Sequence, residues 1–297
     1  MDIGFIGIGQ MGRHMSQRLL DAGHKLVVHD VKKEAATPLL EKGAKWGNTP
    51  KDVAKACQMV ITSLPTPPIV EQVVYGLGGL KEGWKKGDIY IDMSTNSPSI
   101  IRRIAADAKP VGVAVLDAPV SGGTKGAEMG TLAIIVGGES ATLEKVRKVL
   151  EAMGKNIFHV GDVGSGNVVK LINNMIAITC GAITGEGFVL GVKAGIDPQV
   201  LFDVIKVSTG NNWSLQQYPN SVFQGNFAPM YRLSLASKDM SLAIGLGKEY
   251  NLPLAVGSVV EQKLIEAKAA GFAEQGIDAL IRRLEELAGV QVRSQKK

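Results

Sequence analysis

Over residues 1 to about 162, short β-branched apolar runs alternate with stretches whose apolar positions recur every three or four residues. The runs at 3–6, 26–29, 59–63, 89–92, 113–116, 132–136 and 157–160 read as strands, and the stretches at 11–22, 33–41, 69–75, 97–108 and 140–153 read as helices. Parallel neighbours need a crossover, usually a helix, so this alternation predicts a mainly parallel, doubly wound sheet covered by helices. After Gly164 the strand pattern stops, and the rest is helical in period, broken at Gly195 and Pro198, then at Pro219, Pro229 and Pro253. The first of these helices, 167–194, would be about 42 Å long at 1.5 Å per residue. It is expected to be the shared spine of two domains, 1–162 and 163–297. The expected fold class is therefore α/β, a doubly wound parallel sheet followed by an all-α domain joined through a long helix.

Composition sharpens this picture at a few points. A chain of 297 residues that is 45% hydrophobic and 21% charged has ordinary globular balance and buries a sizeable core. Its 36 glycines are a clear excess over the usual share of about 7%, so specific backbone positions must need them. The net charge of +5 is spread evenly, with 20 basic against 17 acidic residues in 1–163 and 13 against 11 in 164–297. No basic tail or face results, which argues against a nucleic-acid partner. Cys57 and Cys180 lie far apart in apolar surroundings, which excludes a disulfide framework and a zinc knuckle and fits a reducing cytoplasm. The chain enters its first strand without a charged targeting region, and residues 171–185, with Asn173 and Asn174, are too short and too polar to span a membrane. A cytoplasmic protein is expected, with a frayed tail from Arg293 to Lys297.

The chemistry begins where the first strand ends. Gly7-Ile8-Gly9-Gln10-Met11-Gly12 is a G-x-G-x-x-G between a strand and a helix, the context of a Rossmann dinucleotide turn. The first glycine allows the turn, the second leaves room for a pyrophosphate, and the third lets helix and strand pack closely, while the helix N-terminus attracts an anion. Asp30, at the end of the second strand, can accept hydrogen bonds from the adenosine ribose hydroxyls, which favours NAD. Lys32 and Lys33 follow at once and could grip a 2′-phosphate, so NADP stays possible.

Further candidates fall at the carboxyl ends of other strands, where open α/β sheets place ligands. Leu64-Pro65 follows the run at 59–63, and Ser94-Thr95-Asn96 follows the run at 89–92, with Thr95 the stronger candidate for a cofactor or substrate contact. Ser97 and Pro67 read as helix starters. Ser121-Gly122-Gly123 offers a hydroxyl and consecutive backbone amides suited to a carboxylate, although a structural turn would look the same. Lys170 stands among Val168, Val169, Leu171 and Ile172 with Asn174 one turn further on. A lysine buried there without a purpose would be costly, while a snorkelling surface lysine would read alike.

Taken together, GFIGIGQMG, DAPVSGGTKGAEMGTL, GSGNVVKLINN and SKDMSLA resemble the β-hydroxyacid dehydrogenases of the 3-hydroxyisobutyrate dehydrogenase type, in order and over nearly the whole chain. The resemblance implies an NAD(P)-dependent oxidoreductase acting on a CH–OH donor, with Lys170 as the catalytic acid/base. It further implies that Ser121, Gly122, Gly123 and Asn174 hold the substrate. Gly7, Ile8, Gly9, Gln10, Met11, Gly12, Asp30, Leu64, Pro65 and Thr95 would meet the cofactor, and Lys238 would reach both ligands. A free lysine, near 10.4, is too basic to take a proton at neutral pH; apolar neighbours, a second cation at Lys238 and the nicotinamide charge would favour its neutral form. The implied substrate is a short 3-hydroxy acid such as 3-hydroxyisobutyrate. Types acting on 2-(hydroxymethyl)glutarate or on tartronate and succinic semialdehydes are the alternatives. Asn96 stands where the family more usually has a branched apolar residue, a departure expected at the pocket wall.

Other function classes make different demands. Imine-reducing relatives generally lack the lysine, and a non-catalytic NAD-binding protein would tolerate its loss. Trp213 could line the pocket, with Ser208 and Asn212 beside it, or could be ordinary core. His14, His24, His29 and His159 have no metal-ligand spacing. Apolar positions Leu242, Ile244, Leu246, Val256, Val259, Val260 and Leu264 suggest self-association, and the resemblance implies a homodimer or homotetramer.

Overall fold

The computed structural model describes residues 2–294. The chain divides into two compact units, Met1–Lys170 and Leu171–Lys297.

The first unit carries every strand of the sheet. Its elements in order are β1 (Asp2–Ile6), α1 (Gly12–Asp21), β2 (Lys25–His29), α2 (Thr37–Glu41), β3 (Lys45–Trp46), α3 (Pro50–Ala56), β4 (Met59–Thr62), α4 (Pro67–Tyr75), β5 (Ile89–Asp92), α5 (Pro98–Ala108), β6 (Ala114–Asp117), β7 (Val120–Ser121), α6 (Gly123–Met129), β8 (Leu132–Gly137), α7 (Ser140–Glu151) and β9 (Gly154–Gly161). The strands run β3-β2-β1-β4-β5-β6 in parallel; β8 then pairs antiparallel with β6 and β7, and β9 parallel with β8. The order reverses between β1 and β4, and their carboxyl ends frame the crevice where such sheets bind ligands.

The alternation of side chains across the sheet builds two cores. Ile3 and Phe5 point to one face with Met15 and Leu19, while Ile6 points to the other with Val53, Val70 and Tyr90. Gly4 lies so close to α3 that a Cβ there would sit 2.4 Å from Val53 Cγ1. β3, β7, α3 and α6 go beyond the sequence pattern. Two-residue strands carry no period, and α3 and α6 are seven residues each. For α3 a local signal did exist, since Thr49 caps it by accepting from Asp52 N with Pro50 in its first turn.

The second unit is helical. α8 (Ser165–Lys193) enters it, followed by α9 (Pro198–Ile205), α10 (Trp213–Gln217), α11 (Leu233–Glu249), α12 (Ala255–Ala269) and α13 (Ile281–Ala288). The breaks fall where the glycines and prolines predict. Gly195 takes φ +90° after α8, and Asp197 caps α9 ahead of Pro198. One core joins Ile178, Leu233, Met240 and Leu264. A second is aromatic, with the Phe188 and Tyr218 rings edge-on at 5.0 Å. The units divide one turn inside α8, past the 162/163 join that the change of pattern suggests, because that first turn is bonded to the end of β6.

Three expectations need correction. Ile244, Val260 and Leu264 are core, so the apolar stripe proposed for self-association keeps only Val256 and Val259 well exposed. The tail is held at its start: Arg293 pairs with Glu285 at 2.7 Å, and Ser294 Oγ donates to Gln199 Oε1. Residues 295–297 lie outside the described residues. Finally, α8 is 29 residues and, among the described helices, is the one long and apolar enough to cross a membrane. Length and composition alone are weak evidence of a span; α8 exposes Ile176, Ile183 and Leu190 on one side and buries Asn167, Lys170 and Asn174 along its first turns.

Candidate functional site

In the first unit, the turn after β1 is shaped by close approaches. Gly7 takes φ +96°, and a Cβ there would lie 2.3 Å from the Ser63 carbonyl oxygen. A Cβ on Gly12 would fall 1.8 Å from the Gly7 carbonyl oxygen, whereas one on Gly9 would meet nothing within 4 Å. The outer glycines are thus required by the fold, and the middle one faces open space. Gln10 is exposed, Met11 is half-buried, and α1 has no side-chain cap. Its first-turn N–H groups are suited to an anion such as a pyrophosphate.

Asp30 closes this turn from β2. Its Oδ2 accepts from Ile8 N at 2.7 Å and its Oδ1 from Lys32 N at 2.9 Å. The carboxylate sits at the strand end in a fixed pose with lone pairs to spare, which fits a ribose diol. Lys32 and Lys33 are exposed, and the Lys33 amine lies 5.8 Å from the centre of the Trp46 ring. These features fit a dinucleotide.

At the ends of β4, β5 and β6 the structure shows a hydrogen-bonded cluster that the sequence pattern does not announce. Leu64 N donates to Ser94 Oγ, which fixes one predicted contact loop on the other, with Pro65 exposed beside it and Thr95 half-buried. Asp92 and Asp117 are partners in the β5–β6 register and both have no exposed surface. Asp92 accepts from Thr62 Oγ1, Ser94 N and Asn96 Nδ2, and Asp117 from Gly164 N, Asn167 N and Asn167 Nδ2. Burial pushes both carboxyls above their ordinary range, and these donors pull them back. Asn96 is wholly buried in this cluster. Its place is structural and not at a pocket wall, since its amide is spent on Asp92 and Ser97 N.

Ser121 ends β7, and Gly122 and Gly123 follow with φ +130° and +62°, both exposed. Exposed glycines with positive φ leave room for an anion such as a carboxylate to approach the backbone. Lys170, the last residue of this unit, is only 8% exposed.

The second unit holds its own polar cluster. Asn174, 7% exposed, donates from Nδ2 to Asp239 Oδ2 at 2.6 Å and accepts from Asn173 Nδ2. Tyr231 donates its hydroxyl to the same Oδ2, and the Lys238 amine lies 2.8 Å from Asp239 Oδ1 in an ion pair. Burial and then the neighbouring Asp239 charge drive the Tyr231 hydroxyl far above the ordinary tyrosine range. Lys238 and Asn174 came from motifs, but Tyr231 carried no local signal. Ser208 and Asn212 are spent on structural bonds: Ser208 donates to the Val204 carbonyl, and Asn212 caps α10 while its Nδ2 donates to Thr184 Oγ1 on α8. Trp213 is 64% exposed and so is not core. Among the described residues no His, Cys, Asp and Glu group could hold a metal ion.

Comparison with known proteins covers both units. Residues 2–161 match the family model of the NAD-binding domain of 6-phosphogluconate dehydrogenase, and residues 164–284 match that of the NAD-binding region of NADP-dependent 3-hydroxyisobutyrate dehydrogenase. A 2-(hydroxymethyl)glutarate dehydrogenase of Eubacterium barkeri is 38% identical over 98% of this chain and 97% of its own length. A 3-hydroxyisobutyrate dehydrogenase of Pseudomonas aeruginosa is 37% identical over 93% and 95%. The solved structure of Mycobacterium tuberculosis 3-hydroxyisobutyrate dehydrogenase with L-serine superposes with a TM-score of 0.88 at 34% identity, covering 95% of this chain and 98% of that one.

Proposed function

The chain belongs to the NAD(P)-dependent β-hydroxyacid dehydrogenases of the 3-hydroxyisobutyrate dehydrogenase type, and we propose that it oxidises the primary hydroxyl of a short 3-hydroxy acid to a semialdehyde, or runs that step in reverse. The observation that carries the reading is the burial of Lys170, at 8% exposure, in the first turns of α8. A lysine is rarely buried so deeply without a task.

The hydride chemistry would be supplied by the bound cofactor, as acceptor in its oxidised form and donor in its reduced form. The remaining work is the proton and the pose. In the oxidising direction the neutral Lys170 Nζ accepts the hydroxyl proton as the carbonyl forms; in the reducing direction the protonated Nζ donates it to the carbonyl oxygen. Asn174, its amide oriented by Asp239, holds the reacting oxygen. Ser121 and the Gly122 and Gly123 amides take the carboxylate, and Lys238 supplies a second positive charge. The glycine turn, Asp30, Leu64, Pro65 and Thr95 serve the cofactor, with NAD preferred because Asp30 would repel a 2′-phosphate. Residues 1–162 then act as the dinucleotide domain and residues 163–297 as the substrate domain, through which the chain forms a homodimer or homotetramer.

The test is steady-state kinetics with NAD and with NADP against 3-hydroxyisobutyrate, 2-(hydroxymethyl)glutarate, glycerate and 4-hydroxybutyrate, repeated with Lys170→Ala. Turnover of at least one acid with NAD, and a loss in kcat of about a thousandfold in the variant with NAD still bound, are expected. Near-normal kcat in Lys170→Ala would remove the lysine from its role, and no turnover of any of the four would remove the substrate class.

A further inference from the structure

The turn of α8 that leads into Lys170 is bonded to residues outside the helix. One turn earlier, Asn167 has no exposed surface. Its backbone N–H and its Nδ2 both donate to Asp117 Oδ2, at 2.7 and 3.2 Å, and its Oδ1 accepts from Asn96 N at 2.7 Å, 71 positions back in the chain. Capping α8 would need only the bonds to Asp117, which Gly164 N and Asn167 N already make. The bond to Asn96 does something else: it fastens the helix that carries Lys170 to the loop that carries Thr95.

That loop is itself rigid. Asn96 Nδ2 donates to Asp92 Oδ2 at 3.0 Å and Asn96 Oδ1 accepts from Ser97 N at 2.8 Å, while Ser94 N donates to Asp92 Oδ1. Thr95 sits between two residues pinned to one buried carboxylate. A continuous buried path therefore runs from Asp92 through Asn96 and Asn167 to Asp117, with Thr95 next to Asn96 and Lys170 one turn beyond Asn167.

We propose that Asn167 is a positioning residue that registers the Lys170 amine against the Thr95 loop, with Asn96 as the support that keeps the loop in place. This inference rests on Lys170 being the acid/base. A hydride transfer at a carbon and a proton transfer at the oxygen it bears need their partners fixed together, and a displacement of about 1 Å is enough to cost up to a hundredfold in rate.

The test compares Asn167→Ala, Asn96→Val and Lys170→Ala in the full chain, measuring kcat, KM for the hydroxy acid, NADH binding by fluorescence and the melting temperature. Asn167→Ala is expected to lower kcat about a hundredfold with NADH affinity within about twofold of wild type, and Asn96→Val, which loosens the Thr95 loop, to lower kcat about tenfold with NADH binding weakened by no more than that. Because Asn96→Val keeps the Asn96 N–H and removes no bond to α8, it serves as the milder variant where Asn167→Ala folds poorly. In the double variant the losses should fall short of multiplying, since both act through one path. A lower melting temperature with kcat per folded molecule unchanged in both single variants would make the cluster purely structural and overturn the inference. If Lys170→Ala keeps its kcat, the catalytic reading itself falls; if Lys170→Ala is inactive and both asparagine variants turn over normally, only the positioning role falls.

Discussion

The two units fix their polar side chains by different means. In the sheet unit the anchors are chiefly main-chain groups at strand ends and turns: Asp30 accepts from Ile8 N and Lys32 N, and Asp117 from Gly164 N and Asn167 N, with the Thr62, Asn96 and Asn167 side chains adding to Asp92 and Asp117. In the helical unit they are side chains bonded to side chains, Asn174 and Tyr231 to Asp239, with Lys238 beside it. Strand ends and turns leave unpaired N–H groups for a carboxylate to collect, whereas helix interiors spend theirs within the helix, so polar side chains there must satisfy one another. The first kind of site should therefore fail when the backbone is disturbed, and the second when one carboxylate is removed.

The largest effect that would break or sharpen this contrast is expected at Gly12. Gly12→Ala forces a methyl toward the Gly7 carbonyl, and overpacking of this sort costs roughly 3 kcal/mol, on the order of a hundredfold in NAD affinity. Titration with NADH by fluorescence would check it; unaltered affinity would mean that the turn yields. In the helical unit Asp239→Ala leaves Lys238 and the Asn174 and Tyr231 donors without their shared partner, a loss of about 3 kcal/mol by urea unfolding. A change below about 1 kcal/mol would show that these side chains find other partners.

Asp30→Ala comes next. It removes a negative charge from the strand end, and the ratio of kcat/KM for NAD over NADP should drop about tenfold. Tyr231→Phe removes one hydrogen bond of several at Asp239 and is expected to cost about 1 kcal/mol of stability.

Smallest in amplitude is a pH effect confined to the sheet unit. The Asp92 and Asp117 carboxyls are raised by burial, so the folded state holds their protons more tightly than the unfolded chain does. Their contribution to stability is fully present below the unfolded carboxylate value, near 3.9, and is lost as pH rises through the raised folded value. Asp92→Asn should flatten that fall in a series of melts across this range. A slope equal to wild type would assign the dependence to other groups.

Much of the sheet unit was legible because its signals are local. A glycine turn, its strand and its helix lie within the consecutive stretch Asp2–Asp21, and Asp30 directly follows the next strand. Lys170 was legible as a cation among apolar neighbours. Tyr231 was not, because the only thing that marks it is a hydrogen bond to Asp239 made when α11 packs, and a tyrosine at the head of a helix has no distinguishing spacing. Asn96 was misplaced for a related reason. Its departure from the usual residue type was visible, but whether a side chain faces a pocket or a buried carboxylate depends on how the chain turns back on Asp92 after β5.

The cap of α8 also sets an order of events. Asp117 reaches Gly164 and Asn167 across 47 and 50 positions, so the helix takes its first turn from a strand that precedes it in the chain. During synthesis the anchor emerges before the helix, and the start of a 29-residue rod is dictated by a completed strand end instead of by its own weak terminal signals. A shift of one residue there would rotate Lys170 by about 100° about the helix axis. The sheet thus acts as a timing mark for a helix that is not yet made.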